Sequence, residues 1–178
     1  MKIKHILPAF AVILFAILLR LLPHPPNVAP ITAMAIFGGV YIDKKYALIV
    51  PLVALFLSDI FIGFHDTMLF VYGSFLISGF IGLWLKQYKN KLHVIGGTFL
   101  ASFLFYIITN FGVWLVSSMY SKTLYGLMES YTLALPFYRN TLIGDFLYVG
   151  LFFVSYELIS RYLSISSNKK AFSISKRK

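Results

Sequence analysis

Five runs of almost unbroken apolar residues, 5–22, 46–64, 67–86, 93–118 and 141–160, dominate the chain. A helix needs about 20 mostly apolar residues to cross a bilayer. Because lipid offers backbone amides no partner but one another, such runs cross it as helices. The hydrophobic share, 59% of 178 residues, also exceeds the roughly 45–50% of soluble domains. These features predict an all-α integral membrane protein: a membrane domain over residues 1–162, then a basic tail, 163–178, rich in Ser and Lys and expected to be disordered. An N-terminal signal peptide is the alternative for the first run. Its best small-residue site, Asn27-Val28-Ala29, is followed by Pro30, which favours an uncleaved first helix.

A sixth apolar segment, 28–42, is short. Its fifteen residues cover only about 22 Å as a helix, so it must be enclosed by other helices or enter the membrane partway. The segment 119–140 is amphipathic and aromatic and is predicted to lie along the interface before the last helix.

The net charge of +10 reports orientation and contact with anionic lipid, not nucleic acid, because the basic residues sit at the ends of the apolar runs. Lys2, Lys4, Lys44, Lys45, Lys86, Lys89, Lys91 and the basic residues from Arg161 onward fall in one set of connections; Arg20, Lys122 and Arg139 fall in the other. The positive-inside rule then predicts six transmembrane helices with both termini cytoplasmic, in the inner (cytoplasmic) membrane. The chain has no cysteine, which removes disulfides, thiolate metal sites and a cysteine nucleophile. No cofactor and no metal site is expected.

With that topology, Arg20, Asp59, Tyr72, Asn110 and Asp145 all fall in the outer half of the membrane. An Asp near mid-membrane costs about 2.5–3.5 kcal/mol on insertion scales and faces a partner or a wet cavity. One reading pairs Arg20 with one carboxylate and leaves the other as a cap or at interfacial water. The other gathers Arg20, Asp59, Asn110 and Asp145 in an outward-opening pocket that binds a ligand, with Arg20→Ala or Asp59→Asn abolishing binding but not expression. Around it, Pro23, Pro25 and Pro26 stiffen a loop that presents His24 and Asn27 at the mouth. Asn27 could instead cap the second helix, with Pro30 in its first turn, and His24 could be a solvated loop residue. Asp66-Thr67 is read as a cap for the fourth helix. Trp114 is either an interfacial anchor or a stacking wall. Ala29 and Ala33, spaced by four, suit internal packing or a partner-docking face, and Gly73, Gly79 and Gly82 suit packing.

The run from "RLLPHPPNVAPITAMAIFGG" to "PLVALFLSDIFIG", with six helices, both ends inside and a polar outer pocket, resembles the substrate-binding S components of energy-coupling factor (ECF) transporters. It is more closely similar to an uncharacterised family of transport proteins related to them, over most of residues 15–160. The resemblance implies a membrane subunit that captures a vitamin-like small molecule from outside, and a partner made of a transmembrane coupling subunit and two ATPases. The chain has no Walker motif, so ATP chemistry would be external. Many S components dock through an Ala-x-x-x-Ala motif on the first helix; here Ala9, Ala11 and Ala16 lack that spacing, which leaves a solo carrier open. Two other function classes compete. One is a structural scaffold resembling the six-helix proteins of bacterial shape-determining complexes. The other is an intramembrane enzyme using Asp59 and Asp145 as an acid–base pair, although no nucleophile or metal cluster accompanies them, so the expectation is a protein that is not an enzyme.

Overall fold

The computed structural model describes residues 3–23, 25–88 and 90–175, with side chains from Pro8 to Ile165 within them. His24 lies outside the described residues. Six helices and no strand are present among the described residues: α1 (Ile3–Leu21), α2 (Ile31–Tyr41), α3 (Ile49–Ile62), α4 (Met68–Leu85), α5 (Lys91–Val116) and α6 (Leu124–Ser175). Three stretches have the length and apolar character to cross a membrane: Met68–Leu85, Lys91–Val116 and Leu124–Ile165. The apolar stretches Pro8–Leu21, Ile31–Tyr41 and Ile49–Ile62 are shorter. The outer surface is itself apolar, with Leu14, Phe61, Leu69, Phe80, Leu92 and Leu147 exposed. Contiguous apolar surface of this kind is what a membrane covers.

The short second segment is the centre of the molecule. Every residue of α2 from Thr32 to Val40 is buried, and its 11 residues span only about 16 Å. Small residues make that enclosure possible. A Cβ placed on Gly39 would lie 2.5 Å from the carbonyl oxygen of Gly79, and one on Gly82 would lie 2.4 Å from that of Ile36. At the lower end of α2 the rings of Phe37, Tyr41, Phe152, Phe153 and Tyr156 pack edge to face or tilted. Gly79 and Gly82 are thus packing positions as expected, whereas Gly73 faces open space. Ala33 is fully buried and is internal packing, whereas Ala29 precedes α2 and is half-buried. A helix this short, surrounded on all sides, has no face left for a partner.

Local chemistry sets the ends of the elements. Asn90 caps α5, accepting from the His93 amide at 2.8 Å. Gly63, at φ 106°, ends α3 in a backbone conformation that side chains resist. Asn27 does not cap α2, because the cap position belongs to Pro30. Instead Val28 N–H donates to the Pro25 carbonyl at 3.0 Å and Asn27 takes φ 62°. This is a type II turn, with proline second and a residue of positive φ third. Thr67 sits at the cap of α4 without a side-chain cap bond; its hydroxyl meets His65 Nδ1 at 2.8 Å.

The largest departure from expectation is α6. The segment 119–140 does not form a separate interfacial element: helix begins at Leu124 and continues unbroken through Pro136 to Ser175. The first part of the basic tail, expected to be disordered, is therefore helical as well. Proline removes one amide and strains a helix without having to end it, and the 3.6-residue periodicity persists across it. Tyr131 bonds to the backbone of Ile107, while Asp145 bonds to Ser102. Fourteen residues of α6, about 21 Å, thus face five residues of α5, about 8 Å. This part of α6, which contains Pro136, must cross or bend over α5.

Candidate functional site

Two carboxylates lie deep in the bundle, and the fold treats them differently. Asp59, at the start of the last turn of α3, is 1% exposed and accepts from Arg20 Nη2 at 2.5 Å and from the Tyr72 hydroxyl at 2.6 Å. Arg20 Nη1 donates to the Leu55 carbonyl at 3.1 Å and to the Ser58 hydroxyl. Ser58 in turn donates to Leu55 O at 2.7 Å. The result is a closed network joining α1, α3 and α4, in which both oxygens of Asp59 are satisfied. Tyr72→Phe takes the donor from one of them. We expect it to lower stability by about 1.5–3 kcal/mol, the range for hydrogen bonds to charged groups; thermal melts in mild detergent measure it, and an unchanged midpoint would show that water replaces the hydroxyl.

Asp145, on α6, is also 1% exposed, but its partners are neutral. Ser102 of α5 donates to Oδ2 at 2.5 Å, and Thr32 of α2 adds a second side-chain hydrogen bond. No ion pair to Asp145 occurs among the described residues. Asp145 lines a cavity of about 360 Å³ together with Arg20, Asn27, His65, Asn110, Tyr106 and Tyr138. Asn27 and His65 are exposed, so the cavity reaches the end of the bundle that carries the α1–α2 and α3–α4 loops. The Asn140 amide donates to Pro26 O at 3.3 Å and ties the first loop to α6 across this end.

Helical spacing builds the walls. Phe105, Tyr106, Thr109, Asn110 and Val113 line the cavity from α5, and Ala134, Phe137, Tyr138, Thr141 and Asp145 line it from α6; each set repeats at three and four residues, one face of a helix. Asn110 Nδ2 donates to its own helix at Tyr106 O, 2.8 Å, which leaves Oδ1 without a donor among the described residues. The Tyr138 hydroxyl is buried and has no hydrogen-bond partner there. Buried polar atoms are almost always paired, so an unpaired hydroxyl on a cavity wall marks a place for a ligand or water.

Of the residues singled out in the sequence, Arg20, Asn27, Ala29, Asn110 and Asp145 line this one cavity. Asp59 and Tyr72 stand behind it, holding Arg20. Trp114 lies off it: its Nε1–H donates to Ser121 O at 2.9 Å, Lys122 sits 5.9 Å from its ring, and the same ammonium bonds the carbonyls of Trp114 and Ser117. Trp114 therefore clamps the α5–α6 turn. Tyr106, Tyr138, Thr32 and Ser102 escaped the sequence reading. The signal for Tyr138 was its place seven residues before Asp145, concealed once 119–140 was set apart from the last helix.

No curated protein and no solved structure matches the chain. Residues 2–168 match the family of unknown function DUF6580, and the chain belongs to that family.

Proposed function

We propose that this chain is a multi-pass protein of the cytoplasmic (inner) membrane that takes up a vitamin-like small molecule, binding it in an outward-facing cavity, and that it is not itself an enzyme. It acts either as the substrate-binding subunit of an ECF-type transporter, with a coupling subunit and two ATPases as partners, or as a solo carrier. The observation that carries the reading is the cavity. An open-mouthed cavity in an apolar bundle, walled by Asp145, Arg20 and Asn110 and by Tyr138, whose hydroxyl is unpaired among the described residues, has little structural purpose unless something polar fills it. The orientation follows from lysine placement: six crossings with both ends inside put the α1–α2 and α3–α4 loops, and so the cavity mouth, on the outer face.

Native mass spectrometry of the mildly solubilised protein tests the reading. The expected spectrum contains the chain with one retained small molecule, lost on collisional activation; ATPase subunits in the same assembly select the ECF arrangement, and their absence selects a solo carrier. A ligand-free chain that instead co-purifies with cell-wall synthesis proteins would overturn the reading in favour of a structural scaffold.

A further inference from the structure

We infer that the ligand of this cavity is a compact organic monocation, held by the Asp145 carboxylate and an aromatic wall; the inference rests on the proposed binding role of the cavity and names its substrate class. Charge accounting comes first. The charged side chains at the inner end of the cavity are Arg20 and Asp145, with Asp59 immediately behind. Arg20 (+1) is matched by Asp59 (−1) in a contact of 2.5 Å, so the pair adds no net charge. Asp145 remains, 1% exposed, with two hydroxyl partners and no counter-charge among the described residues. At the mouth, His65 is engaged by Thr67.

A carboxyl group buried with hydroxyl partners alone is poorly compensated as the anion, and a cation arriving beside it is what favours the charged form and pairs with it. An anion would meet an Arg20 already neutralised and an Asp145 that repels it. The walls suit the same guest. Phe105, Tyr106, Phe137 and Tyr138 all line the cavity, and the Tyr106 and Tyr138 rings lie 4.6 Å apart between centroids, tilted by 32°. Aromatic faces attract organic cations, most strongly where water is excluded. The free Tyr138 hydroxyl and Asn110 Oδ1 add one donor and one acceptor for a polar substituent.

The test uses three probes of nearly the same shape: choline, its neutral carbon isostere dimethylbutanol, and the anion dimethylbutanoate. Equilibrium dialysis against the full chain in mild detergent is expected to give choline at least about tenfold tighter binding than either of the others, in line with cation–aromatic and ion-pair attraction at a desolvated site. Asp145→Asn removes that preference and Asp145→Glu keeps most of it. Where Asp145→Asn fails to fold, Tyr138→Leu, at a half-buried position, serves in its place: loss of the hydroxyl affects both alcohols alike, while loss of the ring weakens choline about fivefold more than dimethylbutanol. Equal or tighter binding of the neutral or anionic probe overturns the cation assignment and leaves the cavity a ligand site. Binding of no probe to the folded wild type, together with a ligand-free native mass spectrum, overturns the binding role itself.

Discussion

Arg20→Ala destabilises the folded bundle by about 3–5 kcal/mol, the cost of leaving a buried charge without its partner. The remaining Asp59 is 1% exposed and keeps only the Tyr72 hydroxyl on Oδ2; Leu55 O and Ser58 lose their guanidinium contact as well. This differs from the expectation that the substitution would remove ligand binding and spare expression, because the side chain belongs first to a structural network between α1, α3 and α4. The contrast that tests it is the triple replacement Arg20→Met, Asp59→Leu, Tyr72→Phe, which removes every member of the network whose partner would otherwise be left unpaired. Apolar replacement of a whole buried ion pair is commonly neutral or better, so the triple variant is expected to melt within about 1.5 kcal/mol of wild type, a volume-conserving swap. Thermal melts followed by the fluorescence of Trp84 and Trp114 measure both. Equal losses in the single and triple variants would show that the pair itself, not its orphaned half, holds the helices together. If the triple variant is stable but its ligand is gone, Arg20 has a second role at the cavity wall, where one face of it lies.

That network also marks the boundary of what the sequence could disclose. The depth of Arg20, Asp59, Tyr72, Asn110 and Asp145 followed from counting residues to the ends of apolar runs, and the fold does gather them in one half of the bundle. Which acid Arg20 takes did not follow. Asp59 lies 39 residues from it in sequence and Asp145 far beyond, and both sit at similar depth; only the packing of α1 against α3 selects Asp59. Short length and small residues foretold the burial of α2. The face of α6 that includes Phe137 and Tyr138 was concealed by Pro136, Arg139 and Asn140, which interrupt the apolar run without interrupting the helix. Periodicity across the proline, 134, 137, 138, 141 and 145, carries the information that hydropathy alone does not.

The second large effect is expected far from the cavity. Gly82→Ala disrupts both the bundle and ligand binding, although Gly82 lies toward the opposite end of α4 from Tyr72. Its added Cβ would stand 2.4 Å from Ile36 O, 2.9 Å from Ile36 Cα and 3.0 Å from Gly39 Cα, all backbone or near-backbone atoms of α2 that no rotamer change can clear. The helices must separate, and overpacking of this kind costs about 1–3 kcal/mol or more. Because α2 is rigid and only 11 residues long, displacement at Gly39 is transmitted to Thr32, seven residues and about 10 Å along the axis, where it disturbs the hydrogen bond to Asp145. Gly73→Ala is the matched control. Gly73 is on the same helix and adjacent to Tyr72, yet a Cβ there meets nothing within 4 Å, so the variant should melt at or slightly above the wild-type temperature, by up to about 1 kcal/mol of helix propensity, and retain the same small molecule in native mass spectra. Gly82→Ala should lose it. A Gly82→Ala protein that melts and binds like wild type would mean that α2 and α4 are not in backbone contact, and the cavity would then lack the rigid central strut that fixes its floor.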